Sequence, residues 1–138
     1  MIHTEKHVLL TEGGFQAFNV TEQVRAAVQT AGIHHGSALV YYLHTTGAVI
    51  IVEHEAGILV DLEDALARIA PPAAEYKHHL RGWDFNGAAH ICTCLLGSSV
   101  TVPVLDGELL LGSYQEILVI DMEPLGKQRS MVIQISGE

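Results

Sequence analysis

Apolar residues in this chain come in short runs rich in valine and isoleucine, most of them closed by a glycine, a proline or a charged side chain. That spacing favours a sheet of short strands over long helices. Ala38-Leu39-Val40-Tyr41-Tyr42-Leu43 and Ala48-Val49-Ile50-Ile51-Val52 are strong strand candidates, and His44-Thr45-Thr46-Gly47 separates them. His44 therefore sits at a strand tip, where a side chain projects into a cleft or an interface, and Glu53 closes the second strand. Upstream, His7–Leu10 and Phe15–Val20 flank Gly13-Gly14, which predicts a hairpin. Downstream, Val100–Val104 reads as a strand whose Pro103 implies an edge or a bulge. Asp106-Gly107 is a hairpin dipeptide, and Glu108–Leu111, Ile117–Asp121 and Met131–Ile135 complete the strands.

Helical spacing replaces the strand pattern in three places. Thr21 reads as an N-cap for a helix carrying Val24, Ala27, Val28 and Ala31, stopped by Gly32. Ile58, Leu59, Leu62, Leu66 and Ile69 form one face of a second helix, ended by Pro71-Pro72. A polar, His-rich stretch from Tyr76 to Trp83 follows. Asn86-Gly87 then signals a turn before an apolar helix from Ala88 to Leu96, capped by Gly97. With no repeat, linker or low-complexity tract, the 138 residues form a single α+β domain. It is mainly an antiparallel β-sheet with two to three helices.

Composition narrows the function. A hydrophobic fraction of 49% with 17% charged residues fits a packed globular protein and not a disordered one. Its positive mean hydropathy points to apolar surface buried between subunits. A net charge of −9 with seven scattered basic residues argues against nucleic acid. No run is long enough to span a membrane and the first residues lack a leader's apolar core, so a cytoplasmic location is expected. An acidic chain that binds a phosphorylated substrate needs local positive charge from a metal or a few basic groups. Lys127 and Arg129 are candidates, although such residues are more often solvated. Cys92 and Cys94 would point to nearly opposite sides of a helix, which suits packed thiols better than a disulfide or a shared metal.

Five of the nine histidines, His44, His54, His78, His79 and His90, lie in the middle of the chain. Neutral imidazole is the commonest metal ligand, and three of them leave a zinc position open. Their spacing matches no compact metal motif, so the fold would have to assemble any site, and scattered hydrogen-bonded histidines are an equally open reading. His3, His7, His34 and His35 read as surface residues. Glu53 is either a base or ligand, or a strand-end charge facing water. Gly97-Ser98-Ser99 either cradles a phosphate or only turns the chain from helix to strand. No nucleophile elbow, Walker loop or dinucleotide motif is present.

The ordered set His44-Thr45-Thr46, Glu53, Tyr76-Lys77-His78, Asn86-Gly87-Ala88-Ala89-His90, Leu96-Gly97-Ser98-Ser99, Pro103 and Gly112-Ser113-Tyr114-Gln115 resembles the signature of the YjbQ-like family, over nearly the whole chain. The resemblance implies a trimer with a histidine-lined cleft near a subunit interface and an activity like that of secondary thiamine-phosphate synthases. Such an enzyme condenses an aminopyrimidine methyl diphosphate with a thiazole phosphate and releases diphosphate. It further implies that His44, His78 and His90 converge as catalytic groups and ligands of a divalent metal (zinc or magnesium), with Glu53 close by. Ser99, Gln115 and Asn86 would then orient the ligand. A metal-dependent hydrolase of a phosphorylated small molecule and a non-catalytic trimeric binding protein are the alternatives. Gly47, Val52, Ala56-Gly57 and Ser113-Tyr114 depart from the family pattern, so part of the polar shell behind the ligands is replaced.

Overall fold

The computed structural model describes residues 1–138 and contains eight strands and three α-helices. The strands are β1 (Ile2–Leu10), β2 (Gln16–Asn19), β3 (Gly36–Tyr42), β4 (Gly47–Val52), β5 (Ser99–Leu105), β6 (Glu108–Leu109), β7 (Glu116–Asp121) and β8 (Gln128–Gly137). The helices are α1 (Thr21–Ala31), α2 (Ala56–Ile69) and α3 (Gly87–Leu96), and Lys77–Arg81 forms a 3₁₀ turn. Every strand pairing is antiparallel, as expected. The strands divide into a five-stranded sheet, β1-β8-β3-β5-β6, and a three-stranded sheet, β2-β7-β4.

This division corrects the hairpin expected at Gly13-Gly14. β1 pairs with β8 and β2 with β7, so the glycine pair carries the chain between sheets. Both glycines have positive φ, and a Cβ on Gly13 would lie 2.5 Å from the Pro124 carbonyl oxygen. The pair is needed for close passage against the connection after β7. β3 and β4 likewise belong to different sheets, joined through residues 43–46, and β7 and β8 through 122–127. Strand register brings these crossings together. Leu10 lies opposite Gln128, Tyr42 opposite Met131, and both Gln16 and Gly47 opposite Asp121. These three of the sheet-to-sheet connections therefore meet at one end of the molecule.

The main core lies between the two sheets and α1. Val24 and Val28 of α1 are fully buried with Met131, Ile133 and Ile135 of β8 and Ile117 and Val119 of β7. Each such valine contributes roughly 1.5–3 kcal/mol by leaving water. β7 is buried on both faces, because Leu118 and Ile120 point the other way, toward the side where Met122 joins α2 and α3. A smaller apolar cluster there holds Leu66, Ala70 and Cys92. No helix is long and apolar enough to cross a membrane.

Local expectations fare unevenly. Gly32 caps α1 in a left-handed conformation as read. Thr21 is the first helical residue and not the cap, and its hydroxyl accepts from the Ile117 N–H at 2.9 Å, tying α1 to β7. Asn86-Gly87 begins α3 and is not a turn before it. The second helix starts at Ala56, and Ile69, assigned to its buried face, is 65% exposed, with Ala70 buried in its place. The strand expected over Glu108–Leu111 shortens to Glu108–Leu109, leaving β5 from Ser99 to Val102 on an open edge, while the Pro103 carbonyl accepts the Leu110 N–H at 2.9 Å. Cys92 is buried but Cys94 is exposed, consistent with opposite sides of one helix.

Candidate functional site

The end where the three connections meet is polar inside, and alternation explains why. On β8, Arg129 stands two residues before Met131, Ile133 and Ile135, and on β7 Asp121 continues the inward series Ile117 and Val119. Both charges therefore point at the interior. Arg129 Nε donates to Asp121 Oδ2 at 2.7 Å, and Tyr42 donates its hydroxyl to the same oxygen at 2.7 Å. Burial and the adjacent Asp121 carboxylate push the Tyr42 phenol far up, so it stays a donor. Arg129 Nη2 donates to the Thr46 hydroxyl in the β3–β4 connection. Gly47 makes room for this arrangement, since a Cβ there would stand 2.2 Å from the Tyr42 ring.

The network continues into the β7–β8 connection. Glu123 is almost fully buried, and its N–H donates to Asp121 Oδ1 at 3.1 Å. Burial pushes the Glu123 carboxyl up, but hydrogen bonds from Thr46 and Asn86 and the charge and hydrogen bond of Lys127 outweigh it and hold it below the usual range. Asn86 Nδ2 donates to Glu123 Oε2 at 3.2 Å, and its Oδ1 faces His78 Nε2 at 3.1 Å. A deprotonated carboxylate only accepts, so the Asn86 amide must turn its NH₂ to Glu123 and its oxygen to His78. His78 Nε2 is therefore the donor of this pair, and in the neutral ring the lone pair lies on Nδ1. His90 lies edge-on to His78 with centroids 4.7 Å apart. Burial and the neighbouring His78 hold the His90 pKa below its usual value, and a hydrogen bond to the Thr45 main chain partly offsets them.

His44 is held from another direction. Its Nε2 accepts the Ser130 N–H at 2.8 Å, and its ring packs edge-on to Tyr42. Burial, then the charge of Arg129, lowers its pKa. A neutral His44 with Nε2 occupied by an amide hydrogen carries its own proton on Nδ1 and is a donor there. His79 spends its Nε2 accepting the N–H of Gly87, the first residue of α3.

The structure thus brings His78, His90 and Asn86 together and ties them to His44 through Thr45, Thr46 and Arg129. It gathers no group of three or more His, Cys, Asp or Glu side chains fit to hold a metal. Glu53 is exposed beyond the far end of β4 from Gly47, roughly 17–20 Å of strand away at ~3.3 Å per residue, and joins none of these residues. Its place as the nearby carboxylate is taken by Glu123. Ser99 is exposed at the start of β5, and Gln115 accepts from the Gly112 N–H at 2.8 Å, closing its own loop. His54 meets Asn19 at 3.2 Å near the end where Glu53 lies. Arg129, expected to be solvated, is 5% exposed because it answers Asp121. Tyr42, Asp121 and Glu123 went unread as site residues in the sequence, and Thr46 figured only in the family signature, although alternation along β7 and β8 carries the signal for Asp121 and Arg129.

Residues 5–138 match the model of a family described as UPF0047 protein YjbQ-like. The chain belongs to this family. A UPF0047 protein of Archaeoglobus fulgidus is 36% identical over 124 residues, covering 90% of this chain and 94% of the relative. Another, from Methanothermobacter thermautotrophicus, is 30% identical across 99% of this chain and 94% of its own. Among solved structures, a YbjQ-like protein of unknown function from Sulfolobus solfataricus superimposes with a TM-score of 0.95 at 28% identity, covering 100% of this chain and 99% of that one. A hypothetical protein from Aeropyrum pernix gives 0.90 at 32% identity, with 99% of each chain covered. The YjbQ-like fold, a single α+β unit built of two antiparallel sheets, is thus shared over the full length.

Proposed function

We propose that this YjbQ-like protein is an enzyme acting on a phosphorylated small molecule at the end where its sheet crossings meet. The observation that carries this reading is the continuous chain of contacts from Tyr42 through Asp121, Arg129, Thr46, Glu123 and Asn86 to the half-buried His78. Buried polar networks are costly unless fully satisfied, and this one ends by fixing one imidazole's tautomer beside a second imidazole. Such pre-organisation suits acid–base or donor chemistry. His78 offers a lone pair at Nδ1 and His44 an N–H at Nδ1, while Lys127, 3.4 Å from Glu123, adds positive charge at the rim.

A thiamine-phosphate-synthase-like condensation has matching needs. Its carbon–oxygen bond breaks as charge builds on the departing diphosphate, which calls for fixed donors and exclusion of water. His44 and Lys127 would meet that charge, and His78 and His90 would accept or donate protons at the reacting end. A resident zinc wants at least three protein ligands. Within one chain, His78 and His90 stand together but His44 Nε2 is taken by Ser130 N–H, so the donor set does not fit a metal. In a trimer, exposed apolar residues such as Leu80, Trp83 and Phe85, a few positions after His78 in the chain, would lie under a neighbouring subunit.

The test is diphosphate release from the aminopyrimidine methyl diphosphate with thiazole phosphate as acceptor, with metal content measured on the same preparation. Turnover that falls in His78→Ala and His90→Ala and survives removal of metal supports the reading. Hydrolysis without condensation would favour a hydrolase. Tight phosphate binding without turnover would favour a binding protein.

A further inference from the structure

A second feature lies on the other side of Asn86. Between α2 and α3 is a cavity of about 420 Å³, within the range of pockets that hold small organic molecules. The cause is in the sequence. α2 presents Ala67 and its C-cap Ala70, and α3 presents Ala88 and Ala89, where larger side chains would let the helices close on each other. The floor, made of Leu66, Ala70, Ala89 and Cys92, is less than 10% exposed, so the cavity is a built recess and not a surface dimple. Its lining holds no lysine, arginine or histidine, and Glu63 is its one carboxylate. Burial pushes the Cys92 thiol up, which keeps that wall neutral.

We infer that this recess is a binding subsite for the neutral or cationic, apolar ring portion of a small molecule, and that it excludes phosphate. An anion there would face Glu63 with no counter-charge. Asn86 is a wall of the recess and also the partner of His78 and Glu123, so a ligand seated between the helices has its open end next to the polar cluster. The subsite itself stands on cavity, charge and side-chain size and does not depend on the phosphate reading of the histidines.

The experiment uses the full chain and two dyes, neutral Nile red and anionic anilinonaphthalene sulfonate. Nile red is expected to bind saturably, one per chain, about ten-fold or more tighter than the anionic dye, a gap of about 1.4 kcal/mol. In a Cys94→Ser background, Nile red is expected to slow alkylation of Cys92 by N-ethylmaleimide, a readout that needs no change to the recess. Ala67→Trp and Ala89→Trp, each checked for an unchanged circular dichroism spectrum, are expected to abolish binding. His78→Ala is expected to leave it intact, which separates this subsite from the histidine site. Equal or tighter binding of the anionic dye, no protection of Cys92, or dye binding that persists in both tryptophan variants would overturn the inference. So would an oligomer in which Cys92 is unreactive and no dye binds, because a second copy would then fill the recess.

Discussion

Arg129 and Asp121 meet at 2.7 Å with side chains 6% and 0% exposed, at the point where three connections cross between the sheets. Neither charge has water to fall back on. Removing one alone strands the other, at a typical cost of about 3–5 kcal/mol. Arg129→Met and Asp121→Asn are each expected to lower the urea-unfolding free energy on that scale. The double variant should lose less than the sum, and additivity of the two would show that the pair is not coupled.

The tautomer of His78 follows from Asn86 and is directly visible. In ¹⁵N-resolved spectra of the imidazole nitrogens at neutral pH, His78 is expected to carry its proton on Nε2 and His44 on Nδ1. Asn86→Ala removes the oxygen that holds the His78 proton and should give a mixture of tautomers, leaving His44 unchanged. A His78 with its proton on Nδ1 in the wild type would contradict the network.

Acid should weaken this protein in two windows. His44 and His90 have lowered values when folded, so the unfolded chain takes up protons first as pH falls through about 6.5. Stability is full above that value and declines below it until the folded groups titrate. Glu123, also lowered, adds stability above its unfolded value near 4.5 that is lost as pH falls through the folded one. Urea midpoints of the wild type should drop between about pH 7 and pH 5, and the drop should shrink in a His44→Gln/His90→Gln variant. A slope left unchanged in that variant would place the titration elsewhere.

Gly47 marks a steric limit. Gly47→Ala sets a methyl against the Tyr42 ring and is expected to destabilise by about 1–3 kcal/mol through overpacking. Adding Tyr42→Leu should recover part of the steric loss, at the expense of the hydroxyl's bond to Asp121.

The strands, the three helices and the antiparallel class were legible because each follows from a local period. Sheet membership was not. Gly13-Gly14 looks the same whether it turns a hairpin or crosses between sheets, and only the partners of β1 and β2 decide between them. The same gap explains the site. His78, His90 and Asn86 lie close enough in sequence for a 3₁₀ turn and a helix start to bring them together. Glu53 stands out as a charge closing an apolar strand and through the family resemblance, yet the whole of β4 separates it from His44 in space. Glu123, far from both in sequence, reaches the cluster because β7 ends beside β4. Alternation alone carries both charges: Asp121 already closes the strand expected over Ile117–Asp121, and Arg129 lies two residues before the one expected from Met131.

Binding of phosphate groups at the crossing end, through its pre-organised histidine site, is tested most directly by calorimetric titration of the wild-type protein with inorganic diphosphate. Saturable binding at one site per chain is expected at neutral pH, weakened about ten-fold or more, or 1.4 kcal/mol, by His44→Ala and by His78→Ala and unaffected by Glu53→Gln. No saturable binding, or binding indifferent to both histidine variants, would contradict the claim and leave the buried network a purely structural device.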